Sequence, residues 1–187
     1  MHPDLEAPDL PDDDDAYFDD PKGGRGEIFD ARLLHEPLSV LPTRAPICFK
    51  GSDAVSEAMH AMQREHRGCV LVTEDGTQRS RLTGIFTERD ILLRIINRGR
   101  NPATITLDEV MVRDPEVLPV EASIAWVLNK MSVGGFRHVP AVDSEGRPSI
   151  IVSVRDVVQF LVEAFPRQIL NLPPECGGKG FQTRHGA

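Results

Sequence analysis

The sequence has no hydrophobic run of the roughly 20 residues that a transmembrane helix requires. Its first 20 residues also lack the positively charged and apolar regions that define a signal peptide. These two absences argue against membrane and secreted proteins. We therefore expect a cytoplasmic protein that does not act at a membrane.

Cysteine is scarce: only Cys48, Cys69 and Cys176 occur, and no two of them form a C-x-x-C pair. Such an odd and sparse set excludes a disulfide scaffold, so we expect reduced, structural thiols. The histidines lack metal-ligand spacing, and there is no Ser/His/Asp set, P-loop or dinucleotide-binding glycine motif. The sequence thus predicts no metal site, no cofactor and no enzymatic activity.

Basic residues are absent from residues 1–20, which hold nine of the 29 acidic side chains. The rest of the chain carries the other 20 acidic residues against 21 basic ones, so the net charge of −8 resides in this tail. Such a charged segment with few apolar residues predicts a disordered acidic tail over residues 1–28. A nearly neutral body argues against nucleic acid as a partner.

The body of the chain contains an internal repeat. Two segments place apolar residues at positions i, i+3, i+4 and i+7, which predicts one apolar helix face in each segment. The two sets, separated by 69 positions, are Val55, Ala58, Met59 and Met62, and Ile124, Val127, Leu128 and Met131. Ser52 or Asp53 precedes the first helix and Ser123 precedes the second, and each is able to cap a helix start.

Each half reads as strand, helix, strand, strand, helix. The predicted strands are 47–50, 68–72 and 82–86 in the first half and 116–120, 138–142 and 149–152 in the second, and the closing helices are 88–98 and 154–164. A unit of about 60 residues has little core of its own, so we expect two copies to share one. The predicted fold is α+β, with two β-α-β-β-α repeats packed sheet to sheet around a pseudo-twofold axis. We place the first domain with its lead-in at 29–103, the second at 104–166 and a mobile tail at 167–187.

A hydroxyl, an arginine and an aspartate recur where the third strand meets the closing helix. The two sets are Thr87, Arg89 and Asp90, and Ser153, Arg155 and Asp156. A helix N-terminus with a hydroxyl suits a phosphate, and a carboxylate one turn later suits the paired hydroxyls of a ribose. The same spacing is also that of a capping box, in which the acid bonds back to its own helix start. Both interpretations stay open on the residues alone.

The segments GIFTERDIL and IVSVRDVVQFL resemble the closing motif of CBS domains. MSVGGFRHVPAVD resembles the helix-to-strand segment of that family, and TLDEVMVRDPEVLPVEASI resembles the start of a second copy. The resemblance covers about residues 38 to 165. It implies a tandem CBS pair, commonly dimerised into a flat disk, whose cleft often binds AMP, ADP, ATP or S-adenosylmethionine.

By position, the resemblance assigns nucleotide contacts to three groups of residues. They are the helix-tip residues Thr87, Arg89, Asp90, Ser153, Arg155 and Asp156, the first-strand residues Cys48, Lys50, Val117 and Pro119, and the second-strand residues Gly68, Cys69, Val70, Arg137, His138, Val139 and Pro140. The small residue expected three positions before the hydroxyl is Gly84 in the first half but Ile150 in the second. We therefore expect two unequal sites.

Three functions are compatible with these features. The first is a non-catalytic adenine-nucleotide sensor, forming a homodimer and acting on a separate, unidentified protein. The second is a dimerisation or protein-interaction module without a nucleotide ligand, in which the repeated motifs are only helix caps. The third, an enzyme acting on nucleotides, requires a general base or a metal site that the sequence does not offer.

Overall fold

The computed structural model describes residues 31–165, so both predicted tails and Cys176 lie outside the described residues. The strands are β1 (Cys48–Lys50), β2 (Cys69–Thr73), β3 (Leu82–Thr87), β4 (Val112–Arg113), β5 (Leu118–Pro119), β6 (His138–Val142) and β7 (Pro148–Ser153). The α-helices are α1 (Val55–Arg64), α2 (Glu88–Asp90), α3 (Leu107–Val110), α4 (Ile124–Gly134) and α5 (Val154–Ala164). Short 3₁₀ segments, Ala31–His35 and Leu38–Val40, precede β1. The mixed α and β composition confirms the predicted class.

Two sheets of matching topology carry the two repeats, with strand orders β1-β2-β3-β4 and β5-β6-β7. In each sheet a parallel pair is followed by an antiparallel hairpin. The hairpins carry equivalent irregularities, one between Val72 and Thr73 and one between Ala141 and Val142. The β-α-β-β-α order is therefore confirmed in both halves.

The first helix of each repeat buries the predicted apolar face. Val55, Ala58 and Met62 of α1 are between 0% and 4% exposed, and Ile124 and Val127 of α4 are fully buried. The predicted cap of α1 is wrong, and that of α4 is correct in position only. The N-cap of α1 is Ala54, since the Asp53 carboxylate instead accepts a bond from the Lys50 N–H at 2.7 Å. Ser123 does occupy the N-cap of α4, but its hydroxyl makes no capping bond.

The segment before the first strand of each repeat packs in the hydrophobic core of the other repeat. Leu38 and Leu41 pack in the core of the second repeat, whereas Leu107 and Val110 pack in the core of the first. The backbone bonds match as well: the Leu38 N–H donates to Ala122 at 3.0 Å, and the Leu107 N–H donates to Asp53 at 3.1 Å. Neither repeat completes its core alone. The domain boundaries remain a prediction, and the packing crosses them.

The closing helices differ between the repeats. The predicted continuous helix 88–98 is divided into α2, a π-helical segment at Ile91–Ile95 and a 3₁₀ turn at Ile96–Arg98. Within the π-helical segment, the Arg94 guanidinium donates to the carbonyls of Val110 and Met111 at 3.0 and 2.7 Å, and so caps α3. The corresponding residue of α5 is Phe160, and α5 is a regular α-helix of 11 residues.

A third apolar cluster joins the two sheets. Leu71 and Ile85 of the first repeat pack with Ile151 of the second in this cluster. The Leu82 N–H also donates to the Gly146 carbonyl of the other repeat at 2.9 Å. The repeats therefore pack sheet to sheet, as the sequence predicts. Every helix within residues 31–165 is too short or too polar to cross a bilayer.

Candidate functional site

Two cavities lie between the repeats, and each takes residues from both. The first cavity has a volume of about 610 Å³. It combines the segment before β1 and the edge of β2 with the start of α5. Its lining residues are Pro42, Arg44, Pro46, Ile47, His66, Arg67, Gly68, Cys69, Val70, Leu71, Glu88, Arg137, His138, Ile151, Ser153, Val154, Arg155, Asp156 and Gln159. This volume suits a small organic ligand.

The second cavity, of about 520 Å³, is the counterpart with the repeats interchanged. It combines the segment before β5 and the edge of β6 with the end of β3 and with α2. Its lining residues are Gly68, Ile85, Thr87, Glu88, Arg89, Asp90, Leu92, Val112, Pro115, Glu116, Gly135, Phe136, Arg137, His138 and Pro140. The structure thus places the two Thr/Ser, Arg and Asp sets in different cavities.

The two cavities share a wall formed by Gly68, Glu88, Arg137 and His138. A Cβ atom at Gly68 would lie 2.8 Å from Cε1 of His138, so only glycine admits the imidazole at this position. Burial lowers the pKa of His138, and Arg137 lowers it further, while Glu88 and Asp156 act in the opposite direction. The imidazole is therefore held mainly in its neutral form.

Both repeated motifs form capping boxes. In α5 the Asp156 Oδ2 atom accepts bonds from the Ser153 N–H and hydroxyl, both at 2.7 Å. In α2 the Asp90 Oδ2 atom accepts from the Thr87 N–H at 2.9 Å and from its hydroxyl at 2.7 Å. The capping interpretation of the sequence is realised in both repeats. It does not exclude a ligand, because each carboxylate has a second oxygen.

The second oxygen distinguishes the two aspartates. Asp90 is 6% exposed, and its Oδ1 lies 3.2 Å from Nε of Arg94. Within residues 31–165, Asp156 Oδ1 makes neither a hydrogen bond nor an ion pair. Of these two aspartates, Asp156 therefore offers the uncommitted acceptor to a ligand. Asp90 is occupied by contacts inside its own repeat.

The two cavities differ in the number of arginines that line them. Four arginines and two carboxylates line the first cavity, whereas two arginines and three carboxylates line the second. The thiol of Cys69 faces the first cavity, and burial raises its pKa to about 12, so it remains neutral at physiological pH. The first cavity is thus the one suited to an anion.

Most of the sequence-predicted contacts line one cavity or the other. Cys48, Lys50, Val117, Pro119 and Val139 lie outside both linings. Val139 is 1% exposed and lies within the core of the second repeat. Cys48 is partly buried, and this burial raises the pKa of its thiol to about 11. The cavities are lined instead by the residues just before the first strands.

Sequence reasoning missed several cavity residues. Those before the first strands are Pro46, Ile47, Pro115 and Glu116, and the others include Arg44, Arg67, Phe136 and Gln159. The prolines recur 69 positions apart, like the helix faces, and that signal was sufficient to find them. Neither Gly84 nor Ile150 lines a cavity, because Gly84 gives space to the side chain of Met111. The size difference at these positions therefore does not make the sites unequal.

Comparison with known proteins identifies the repeat. A profile of the CBS domain matches residues 38–97 and residues 107–163. The chain belongs to the CBS domain family. Each CBS repeat carries one helix-tip motif and forms most of one sheet, while β4 from the start of the second repeat pairs with β3 of the first. CBS domain proteins are in general regulatory modules rather than catalysts, and the comparison indicates no enzyme family.

Individual CBS proteins resemble the chain over most of its described length. The mitochondrial CBS domain-containing protein CBSX3 of Arabidopsis thaliana is 29% identical over 122 residues, which are 64% of this chain and 58% of that protein. This chain thus spans less than two thirds of that relative. A 17.7 kDa protein of Acidianus ambivalens is 27% identical over 143 residues, covering 76% of this chain and 84% of that protein.

Solved structures show the same fold. A conserved protein from Pyrococcus horikoshii superposes with a TM-score of 0.62 at 25% identity, covering 68% of this chain and 93% of that one. A CBS domain protein from Pyrobaculum aerophilum, solved as a complex with AMP, gives a TM-score of 0.60 at 21% identity. It covers 68% of this chain and 96% of that chain.

No group of three or more potential metal ligands is present within residues 31–165.

Proposed function

We propose that this CBS pair is a regulatory module that binds an adenine nucleotide in the first cavity. One observation carries the proposal. The start of α5, with the uncommitted Oδ1 atom of Asp156, faces the edge of β2 from the other repeat across a cavity of about 610 Å³. A family member of the same fold has been solved as a complex with AMP. Both observations support a ligand from the group of adenine nucleotides and S-adenosylmethionine.

Each part of a nucleotide has a counterpart in the first cavity. The Asp156 carboxylate accepts hydrogen bonds from the ribose hydroxyls, since it is an acceptor at neutral pH. The N–H of Arg155 has no acceptor within residues 31–165, and it lies at the positive end of an 11-residue helix. It suits a phosphate there. The adenine lies against Ile47, which is partly exposed and supplies apolar surface, and against the start of β2.

Binding at this place provides a route to regulation. A ligand that contacts both the β2 edge and α5 favours one relative position of the repeats, and it stabilises that position by its differential affinity. The shared wall of Gly68, Glu88, Arg137 and His138 extends the effect to the second cavity. We propose that the chain acts in the cytoplasm on a separate protein, which reads this change.

Titration calorimetry with AMP, ADP, ATP and S-adenosylmethionine tests the proposal. We expect at least one of them to bind, and Asp156→Ala to weaken it about tenfold or more, since a hydrogen bond to a charged group contributes about 1.5–3 kcal/mol. Glu109→Ala is the matched control, because Glu109 completes a capping box on α3 and lines neither cavity. It should bind with unchanged affinity. Failure of all four compounds to bind at about 1 mM would reject the proposal.

Association of copies without a nucleotide is the second candidate function. It is favoured by exposed apolar side chains on the closing and first helices, namely Leu92, Leu93, Ile96, Trp126 and Val133. A cyanobacterial CBS-CP12 protein of the same fold is described as hexameric. Sedimentation with and without nucleotide separates the two functions. An oligomer whose size and partners ignore every nucleotide would favour this second candidate.

A further inference from the structure

We infer that the first cavity selects nucleoside polyphosphates over AMP and adenosine, and that Arg44 and Arg67 are the residues that make this selection. The inference rests on the proposed function, since it concerns the ligand of the same cavity. It assigns a role to two residues that neither the family motif nor the helix-tip pattern includes. Two kinds of observation support it: the positions of the charged side chains around the cavity and the ion pairs that basic side chains form.

Four arginines from four separate segments line the first cavity. Arg44 precedes β1, Arg67 precedes β2, Arg137 precedes β6 and Arg155 belongs to α5. None of the four forms an ion pair with a carboxylate within residues 31–165. Like charges that converge on a cavity without neutralisation raise its positive potential. The cavity is therefore prepared for a multiply charged anion.

Six basic side chains elsewhere form ion pairs with carboxylates, namely Arg64, Arg94, Arg100, Arg113, Arg147 and Lys130. Within residues 31–165, Lys50, Arg79, Arg81, Arg89 and Arg98 form no ion pair. The first cavity is distinguished by the convergence of four arginines without ion pairs on one site. Three of the cavity arginines, Arg44, Arg137 and Arg155, are exposed, and their guanidinium groups make no hydrogen bond within residues 31–165, so these groups are available to a ligand.

The second cavity supplies an internal comparison, because the repeat fixes which positions correspond. The counterpart of Arg44 is Arg113, which is paired with Asp108 at 3.3 Å and lines neither cavity. The counterpart of Arg67 is Phe136, and that of Ile47 is Glu116. The first cavity is thus lined by four arginines and the second by two, while Asp90 and Glu116 of the second cavity are paired with Arg94 and Lys130. The first cavity therefore attracts the phosphate chain more strongly.

The arrangement of these arginines explains why more than one phosphate is selected. A phosphate at the start of α5 uses Arg155 and the end of the helix, whereas Arg44 and Arg67 belong to the opposite repeat. Arg67 Nη2 donates to the Ala45 carbonyl at 2.7 Å, which fixes the segment carrying Arg44 at the cavity. Guanidinium groups bind phosphate oxygens in pairs, so additional phosphates gain additional contacts. A nucleotide that extends to both repeats uses all of them.

Calorimetry at one fixed ionic strength tests this inference with adenosine, AMP, ADP, ATP and inorganic tripolyphosphate. We expect ATP to bind at least about tenfold more tightly than AMP, because charge-assisted hydrogen bonds to the added phosphates are strong. Arg44→Gln should remove about five- to tenfold of the ATP affinity and leave adenosine binding unchanged. Arg67→Gln should do the same. Inorganic tripolyphosphate should bind at least about tenfold less tightly than ATP, because it lacks the nucleoside.

Arg113→Gln is the matched control for Arg44→Gln. It removes the corresponding arginine of the other repeat, which lies outside both cavities, and should leave the ATP affinity unchanged. Thermal unfolding of each variant shows that the fold is retained. Because Arg67 also holds Ala45, Arg44→Gln is the decisive variant if Arg67→Gln unfolds.

The outcomes separate this inference from the proposed function. Equal affinities for AMP and ATP, or equal losses for Arg44→Gln and Arg113→Gln, would overturn the inference and leave an adenine site in place. Loss of adenosine binding in Arg44→Gln would also overturn it, since the residue would then act on the whole site. Absence of binding by every adenine compound would overturn the proposed function itself. If tripolyphosphate binds as tightly as ATP, the nucleoside contributes nothing to binding. That result would overturn both the inference and the proposed function.

Discussion

In the first repeat, Arg94 binds the aspartate that follows the third strand, whereas in the second repeat the corresponding aspartate keeps one oxygen uncommitted. The same contrast extends to the cavities. Arg44 lines the first cavity without a carboxylate partner, while its counterpart Arg113 is held by Asp108. Two copies of one fold thus present the same backbone positions with different polar groups.

The contrast shows which features a duplication preserves and which it changes. The apolar positions that complete each core recur at the same spacing, because each sheet has to be covered in the same way. The polar positions that face the cavities have changed, since charge there affects a ligand more than the fold. A pair of repeats can therefore contain one cavity lined by four arginines and another lined by two. The first prediction concerns the two hydrophobic cores, and the last concerns the wall between the two cavities.

The largest expected effect concerns the exchanged segments before the repeats. Leu38→Ala and Leu107→Ala should each lower the free energy of unfolding by about 3 kcal/mol, because both leucines are fully buried. Urea unfolding measures the change. Leu92→Ala is the control, since this leucine is 57% exposed and its loss should cost less than about 0.5 kcal/mol. If only one of these two variants lost little free energy of unfolding, its leucine would not be needed to complete the core of the other repeat.

The second prediction compares the two helix-tip aspartates. Asp90→Ala should lower the free energy of unfolding by about 2–3 kcal/mol, because it leaves the Arg94 guanidinium without its carboxylate and removes a helix cap. Asp156→Ala should lower it by about 1 kcal/mol, since only the cap is lost. Urea unfolding with an unchanged slope checks both values. Equal losses would mean that the ion pair contributes nothing.

The third prediction concerns the wall between the cavities and its dependence on pH. Burial lowers the pKa of His138 from its ordinary value of 6.5, so the unfolded chain takes up a proton at a higher pH than the folded chain. The contribution of this residue to stability is therefore present above pH 6.5 and is lost as the pH falls below that value. Glu88 and Asp156 reduce the size of this loss, and Arg137 increases it.

His138→Gln should weaken the decrease in stability on the acid side of about pH 6.5, compared with the natural sequence. Urea midpoints across the pH range measure this difference. The counterpart in the first repeat, Cys69, has a pKa of about 12 and does not titrate in this range. An unchanged pH profile in His138→Gln would contradict the assignment.

Much of the fold was predictable from local pattern. The helix faces led by Val55 and Ile124, the hairpins and the second closing helix follow from periodicity within a few residues. The division of the first closing helix was not predictable, because it coincides with bonds from Arg94 to carbonyls 16 and 17 positions away. Such contacts leave no periodic signal in the sequence.

The candidate site was predictable in part. The doubled motif ending in Asp90 and Asp156 indicated where the cavities form, and the structure places the two copies in separate cavities. Arg44 and Arg67 were not found, since isolated arginines in connecting segments carry no motif. The residues next to them along the chain give no indication that they meet α5 of the other repeat.

The sequence by itself determined that the chain contains two copies of a β-α-β-β-α unit, because turns, caps and apolar periodicity act over a few residues. Only the tertiary structure decided that the lead segments exchange cores and that Asp90 is neutralised while Asp156 is not. It also decided that four arginines line the first cavity and two line the second. These properties depend on which distant residues come within a few ångströms, and so on the packing of the two repeats against each other.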